Sequence, residues 1–429
     1  MIRKIRQLVG DNVLLKITSV NSLAIGVRIV AGFITSKVVA IYLGAPGMAL
    51  LGDLRNFLGS VQSISTLGIS NGIIKYTAEF KRDKRILSQL LSTSFFLILG
   101  MTLLVSGILF FGAAFWNTLI FKENTNFTFV FKLMALALPF YAINTFLLAV
   151  INGHAKYRFI IFINIATNLL GLLLTVAFIV NYKIDGAFVA IATVPAIAFL
   201  VTVMALVNKS AGLKLIKPHF FKRKHIKKYA SYAGMTAVSA MLTPWVFIGI
   251  RQHIIDTDGM SNAGYWDAML RLSDYYLMFA TTVLTLYVLP KLAEATTETG
   301  FRKQIVDFYK TIMPLLGLGL IAVFLLKSYL VQLVFTKDFM TMLPIFKWQL
   351  AGDFFRVSSI ALAYQFIAKN MFWHFVGTNL LSLAIIYGSS IYFVNLYGVE
   401  GAGMAHLFSY VLYLGVVLFI FRKPLFDLK

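Results

Sequence analysis

The 429-residue chain is 59% hydrophobic and only 13% charged, with a mean hydropathy of +0.81. Soluble domains are nearer half apolar and a quarter charged, so these figures describe a polytopic membrane protein. Lys and Arg number 39 against 17 Asp and Glu, a net charge of +22, and the absence of cysteine excludes disulfides, thiolate metal sites and thiol catalysis. In a soluble chain the excess charge would point to nucleic acid. Here much of it lies in short loops between apolar segments, so it reads as a membrane-orientation signal and no nucleic-acid partner is expected.

Arg3, Lys4 and Arg6 precede an apolar region without a small-residue cleavage site, which reads as a retained first helix. Twelve segments of spanning length follow: 13–42, 48–78, 87–112, 127–151, 157–180, 185–207, 230–252, 262–290, 305–326, 341–368, 372–394 and 400–421. With the N-terminus inside, the inner loops and tails hold 25 basic residues and the outer loops 4, Lys122, Lys183, Lys327 and Lys337. That asymmetry predicts both termini in the cytoplasm and an even number of spans.

The chain is duplicated. Residues 131–209 return without a gap at an offset of 215: Phe131-Lys132 falls on Phe346-Lys347, Asn164 on Asn379, Tyr182 on Tyr397, and Asp185-Gly186-Ala187 on Glu400-Gly401-Ala402. Six spans per repeat give both halves the same topology. The expected fold is all-α, with two six-helix lobes related by a pseudo-twofold axis along the membrane normal. The lobes are drawn at 1–207 and 229–429, joined by a basic cytoplasmic linker, 208–228. Within it HFFKRKHIKKY (219–229) reads as an amphipathic stretch on the anionic inner leaflet, or simply as a solvated topology signal. Pro139, Pro195, Pro244 and Pro314 interrupt apolar segments and are candidate kinks.

Ten basic residues are not used in loops: Arg28, Lys37, Arg55, Lys75, Lys132, Arg251, Arg271, Lys310, Lys347 and Arg356. Lys132, Lys310 and Lys347 fall near segment ends and can snorkel. Arg55 and Lys75 share one segment, and twenty helical residues span about 30 Å, so they are expected at opposite ends of a translocation path. Gln349, Asp353 and Arg356 recur at spacings of four and three and so share one helix face, extended by Ser359 and Ala363. Asp267, Arg271 and Asp274 repeat that spacing. A charge at the bilayer centre costs roughly 2.5–3.5 kcal/mol, so these faces should meet a bundle interior or a wet cavity. Each charge also reads as half of a packing salt bridge. The acids Asp53, Asp267, Asp274 and Asp353 are too few to pair every cation, so the interior is net positive and predicts an anionic substrate. Arginine's planar fork matches phosphate oxygens.

The chain contains no Gly-Lys dipeptide, hence no P-loop, and neither a histidine pair at metal spacing nor HExxH. With short outer loops, this predicts a secondary transporter driven by an ion gradient and requiring no cofactor or metal. Asp267, Asp274 and Asp353 are the candidate coupling acids, with Gln349 beside Asp353, and protonating Asp353 is expected to release Arg356 for substrate.

NGIIKY (71–76), YWDAMLRLSDYYL (265–277), LYVLPKL (286–292) and WQLAGDFFRVSS (348–359) carry a resemblance. Over nearly its whole length the chain resembles the bacterial O-antigen translocase and lipid III flippase family, within the multidrug/oligosaccharidyl-lipid/polysaccharide exporter superfamily. The resemblance implies a cationic central cavity, alternating access, and movement of undecaprenyl-diphosphate-linked sugars to the outer leaflet of the inner membrane. It implies roles for Lys75, Gln349, Asp353, Arg356 and Asp274, with Trp266 and Trp348 as cavity aromatics. Arg28, Arg55, Arg251 and Arg271 join the pyrophosphate-binding set on charge and position alone. Membrane lipids and polysaccharide polymerase machinery are the expected partners. The loop NGHAKYRF (152–159) departs from the Arg-rich turn expected there. The alternatives are a cation-coupled multidrug exporter of the same superfamily, a peptidoglycan-precursor flippase, and a membrane enzyme acting on lipid-linked sugars.

Overall fold

The structure is a computed structural model that describes residues 13–122, 126–206, 216–295 and 297–426. Among these residues every regular element is helical. The run Val13–Ser65 breaks at Gly44, whose φ of 64° lies in the left-handed region that glycine adopts without a Cβ clash, into α1 (13–43) and α2 (45–65). Pro46 sits in the first turn of α2, where its missing N–H leaves no bond unmade. Next come α3 (Ser70–Glu79), α4 (Lys84–Phe111), α5 (Ala113–Phe121) and α6 (Thr128–Gly153). The run Tyr157–Leu206 breaks at Lys183 into α7 (157–182) and α8 (184–206). The second half holds α9 (Ile226–Asp258), α10 (Met260–Val283), a π-turn at Leu284–Val288, α11 (Leu289–Glu294), α12 (Glu298–Leu325) and α13 (Lys327–Val334). It ends with α14 (Ile345–Ala368), α15 (Phe372–Tyr397), α16 (Val399–Ile420) and α17 (Arg422–Phe426).

Among the described residues seven helical runs are long and apolar enough to cross a bilayer, and two of them are the double runs α1–α2 and α7–α8. Three further helices, α9, α10 and α14, have spanning length but carry the interior charges, which lowers their apolarity. Together they supply the twelve spans of the sequence reading. The duplication is written into the backbone as well. Left-handed breaks at Gly44 and Gly259, Ala155 and Asn370, and Lys183 and Gly398 each stand 215 residues apart. The short helices α5 and α13 follow the third span of each half.

One expected helix is two. The segment 48–78 stops at Ser65, passes through Leu67 and Gly68 at φ 53° and 59°, and restarts at Ser70. Arg55 and Lys75 therefore do not lie on one straight 30 Å rod. Pro139, Pro195, Pro244 and Pro314 lie inside their helices without ending them.

The chain divides into two compact units, 1–38 with 57–241, and 39–56 with 242–429. In the first, Ile73, Leu87, Leu90, Phe146, Val150 and Tyr229 share a core. The linker, from residue 216 on, is strapped to α4. The Lys217 and Lys222 backbone N–H groups donate to Ser92 Oγ and Thr93 Oγ1 at 3.0 and 3.1 Å, and buried His225 meets Gln89 Oε1 at 3.2 Å. The expected amphipathic stretch 219–229 is thus two 3-10 turns, Pro218–Phe220 and Arg223–His225, before α9 begins. Side-chain acceptors on α4 take the strap's backbone donors, so the strap need not be helical. Linker residues 208–215 and the basic residues Arg3, Lys4 and Arg6 lie outside the described residues.

In the second unit one core joins Leu277, Phe308, Ala361, Phe366 and Val417. Another joins Ala49 to Ile250, Ile254, Trp266 and Ala402, and so packs the 39–56 hairpin onto α9, α10 and α16.

Candidate functional site

Among the described residues two polar networks are buried in the second unit, joining the charged spans α9, α10 and α14 to the more apolar α2 and α16. The first joins α2, α9 and α10. Arg251 is 1% exposed, and its Nη1 and Nη2 donate to Asp53 Oδ1 and Asp267 Oδ1 at 2.7 Å each. Gln252 Nε2 donates to the other Asp53 oxygen at 3.0 Å. Arg271 Nε, one turn along α10, reaches Asp267 Oδ2 at 3.3 Å, and Arg55 Nη1 lies 3.8 Å from the same oxygen. The Arg251 guanidinium lies 5.5 Å from the Trp266 ring, which stacks on Phe247. The approach of α2 depends on Gly52: a Cβ there would fall 2.2 Å from Asp267 Oδ1 and 2.8 Å from Arg251 Cζ. Three arginines meet two carboxylates, so the five groups together carry one excess positive charge.

The second network joins α14, α10 and α16. Asp353 is fully buried, and its Oδ2 accepts from Ser273 Oγ and Tyr276 OH at 2.5 Å each. Its Oδ1 faces His406 Nε2 at 2.9 Å, Gln349 Nε2 at 3.4 Å and Arg356 Nη1 at 3.9 Å. Gly352 lets α16 come close, since a Cβ there would fall 2.3 Å from His406 Cδ2. Arg356 is 30% exposed and its guanidinium lies 5.8 Å from the Tyr410 ring. The expected stripe on α14 is real, with Gln349, Asp353 and Ser359 all buried. Its expected ion pair is the longest contact Asp353 makes. Neutral donors and a histidine hold the carboxylate instead.

The remaining sequence-predicted residues scatter. Arg251 is not open to an anion here, because both of its Nη groups are committed to buried carboxylates. Asp267 and Trp266 are buried beside it, whereas Asp274, one turn past Arg271, is exposed and stands within electrostatic reach of Arg356. Trp348 is half-buried and donates to Glu400 Oε1 at 2.8 Å, next to the Lys347–Glu400 pair at 3.0 Å. Arg28 and Lys75 are exposed in the first unit, Lys75 lying 5.6 Å from the Tyr76 ring. Sequence reasoning missed Ser273, Tyr276, Gln252 and His406. The first two share a face of α10 at a spacing of three, a legible signal. His406 had only a weak one, its place in the small-residue stretch GAGMAH. Among the described residues no three His, Asp or Glu side chains gather for a metal ion.

No family model matches the chain. Curated relatives named lipid III flippase, from Escherichia coli (strain K12) and Shigella flexneri, are each 24% identical over 399 residues, 92% of this chain and 95% of theirs. Among solved structures, an inward-facing multidrug resistance MATE transporter of the MOP superfamily superposes with a TM-score of 0.78 at 11% identity, over 93% of this chain and 95% of that one. The outward-facing conformation of such a transporter gives 0.68 at 12% identity, over 94% and 96%. A MOP superfamily transporter from Pyrococcus furiosus, described as having a binding pocket of reversed polarity, gives 0.65 at 12%, also over 94% and 96%.

The chain has the MOP transporter fold. The resemblance to lipid III flippases expected from the sequence holds over 92% of the chain. In the MOP fold the two networks described here sit on the second, eighth and seventh spans, and on the tenth, eighth and twelfth. Transport, rather than catalysis, is what such relatives have in common.

Proposed function

We propose that this protein is a flippase that moves polyprenyl-diphosphate-linked oligosaccharide from the cytoplasmic to the outer leaflet of a bacterial inner membrane. The observation that carries the reading is the charge balance around Asp267. Arg251 already neutralises that carboxylate at 2.7 Å, while Arg271 and the 33% exposed Arg55 hold its other oxygen at 3.3 and 3.8 Å. A diphosphate offers shorter, bidentate partners to the outer arginines without stripping the buried carboxylate of its counter-ion. Arg55, Arg271 and Arg356, all in the second unit, form the proposed headgroup set, and Arg251 acts as a structural tie. Relatives named lipid III flippase support the substrate class. Alternating access of the lobes 1–207 and 229–429, cytoplasmic termini and drive by an ion gradient complete the proposal, with Asp267, Asp274 and Asp353 as coupling acids. Association with polysaccharide polymerase machinery rests on family resemblance alone.

The test is transport in liposomes. A labelled polyprenyl-diphosphate oligosaccharide should reach the outer leaflet with the wild-type protein. Transport should fall at least tenfold with Arg55→Ala or Arg271→Ala, the scale of one lost charge-assisted bond, about 1.5–3 kcal/mol. Well-folded wild type that moves no lipid but expels a cationic dye would replace this reading with a multidrug exporter.

A further inference from the structure

The polar groups that meet the Asp353 carboxylate can be counted proton by proton. Ser273 and Tyr276 hydroxyls fill Oδ2 as donors at 2.5 Å. A carboxyl proton would therefore sit on Oδ1, where His406 Nε2 stands 2.9 Å away. Gln349 Nε2 lies 3.4 Å from that oxygen and 3.1 Å from His406 Nε2. If the imidazole Nε2 carries the proton, its N–H faces Asp353 and offers Gln349 no lone pair. If Asp353 carries it, the single imidazole lone pair serves two competing donors. Among the described residues Gln349 Oε1, on a fully buried side chain, accepts no hydrogen bond. A buried amide oxygen left without a donor is costly, so the Gln349 amide gains by turning when a second N–H becomes available beside it.

We propose that Asp353 and His406 form a proton-carrying site, in which Gln349 reorients as the imidazole is loaded and Arg356 is loosened from the carboxylate. Loading converts the neutral imidazole to imidazolium. The proton comes from bulk hydronium, which leaves as water; one O–H bond breaks there, one N–H bond forms at the unprotonated imidazole nitrogen, and no other covalent bond changes. The carboxylate is then compensated at 2.9 Å, so the Arg356 contact at 3.9 Å becomes the dispensable one. This rests on the ion-coupling part of the proposed function, to which it adds His406 as the proton's seat, and it holds for any anion that Arg356 serves.

The charged and titratable neighbours come from every packed helix. On α14 itself there is Arg356. From α10 come Tyr276 and, further along, Arg271 and Asp274. From α16 come His406 and Tyr410, whose ring lies 4.8 Å from the imidazole. On α12, Tyr309 bonds the Ser358 carbonyl instead, on α11 Lys291 bonds Tyr287, and on α15 His374 stacks on Phe366. Of the groups that touch the carboxyl, histidine is the one whose ordinary pKa lies between pH 5 and 8.

The test needs no substrate, so its failure leaves the flippase reading standing. The full chain in lipid nanodiscs is followed by pH-difference infrared spectroscopy between pH 5 and 8, wild type beside His406→Gln, whose amide keeps a donor near the Nε2 position but takes up no proton. His406→Asn serves if the first variant folds poorly. The wild-type-minus-variant spectrum should contain a titrating imidazole band together with a carboxylate band, and Asp353→Asn should shift the imidazole midpoint by at least one pH unit. In parallel, phenylglyoxal labelling of Arg356 relative to Arg28 in the same chain, read by mass spectrometry, should rise several-fold as pH falls in wild type and stay flat in His406→Gln. Identical spectra for wild type and both histidine variants would overturn the proton site. A labelling ratio independent of pH in wild type would overturn its link to Arg356.

Discussion

Replacing Arg251 by Met tests the first network at its centre. The guanidinium is 1% exposed and donates to Asp53 and Asp267 at 2.7 Å each. Its loss leaves Asp267 with Arg271 and Arg55, but leaves fully buried Asp53 with the neutral Gln252 amide at 3.0 Å. Breaking a buried ion pair by removing one partner costs about 3–5 kcal/mol, because an uncompensated charge remains. The double variant Arg251→Met/Asp53→Asn removes that charge and should lose only roughly 1–3 kcal/mol, the scale of an imperfectly paired buried polar group. The double variant should therefore be about 2 kcal/mol more stable than Arg251→Met, the reverse of what two independent losses would give. Equilibrium denaturation in mixed micelles, read by tryptophan fluorescence, measures all three. A single variant that loses less than about 1 kcal/mol, or a double variant no better than the single, refutes the claim that Arg251 is the counter-ion of Asp53.

Gly52→Ala should destabilise the second unit by about 1–3 kcal/mol, since its Cβ would overlap Asp267 and Arg251, whereas Gly100→Ala, with nothing within 4 Å, should be neutral in the same melt. Ser92→Ala combined with Thr93→Ala removes both acceptors of the strap. Protease cleavage in 216–225 should rise several-fold while the global melting midpoint hardly moves. His154, in the loop after α6, is held below its usual pKa by partial burial and by the Lys156 and Lys81 charges. The unfolded chain then binds the extra proton more readily, so this contribution is fully present above pH 6.5 and declines as pH falls below it. His154→Gln should flatten that acid-side slope in a pH series of melting midpoints, and an unchanged slope would refute the assignment.

The number and order of spans were legible because a bilayer demands about twenty apolar residues per crossing whatever their partners. The duplication was legible because its offset survives in residues such as Gly186 and Gly401. The α14 stripe was legible because helical spacing alone puts Gln349 above Asp353. Other features depended on contacts that no local pattern records. The break at Leu67–Gly68 places a leucine in the left-handed region, which no propensity anticipates. Arg251 finds Asp53 across 198 residues, and His406 finds Asp353 across 53.

By itself, then, the sequence determined a twelve-span, duplicated, net-basic membrane protein with more cations than acids inside its apolar segments. Which cations are spent on buried carboxylates, and which keep only long contacts at the edge, was decided by tertiary structure alone. The physical reason is that a charge's role in a low-dielectric interior depends on the distance to its counter-ion, and helix packing sets that distance. Composition counted Arg251 and Arg55 as equals. Packing put one at 2.7 Å from two carboxylates and left the other at 3.8 Å from one.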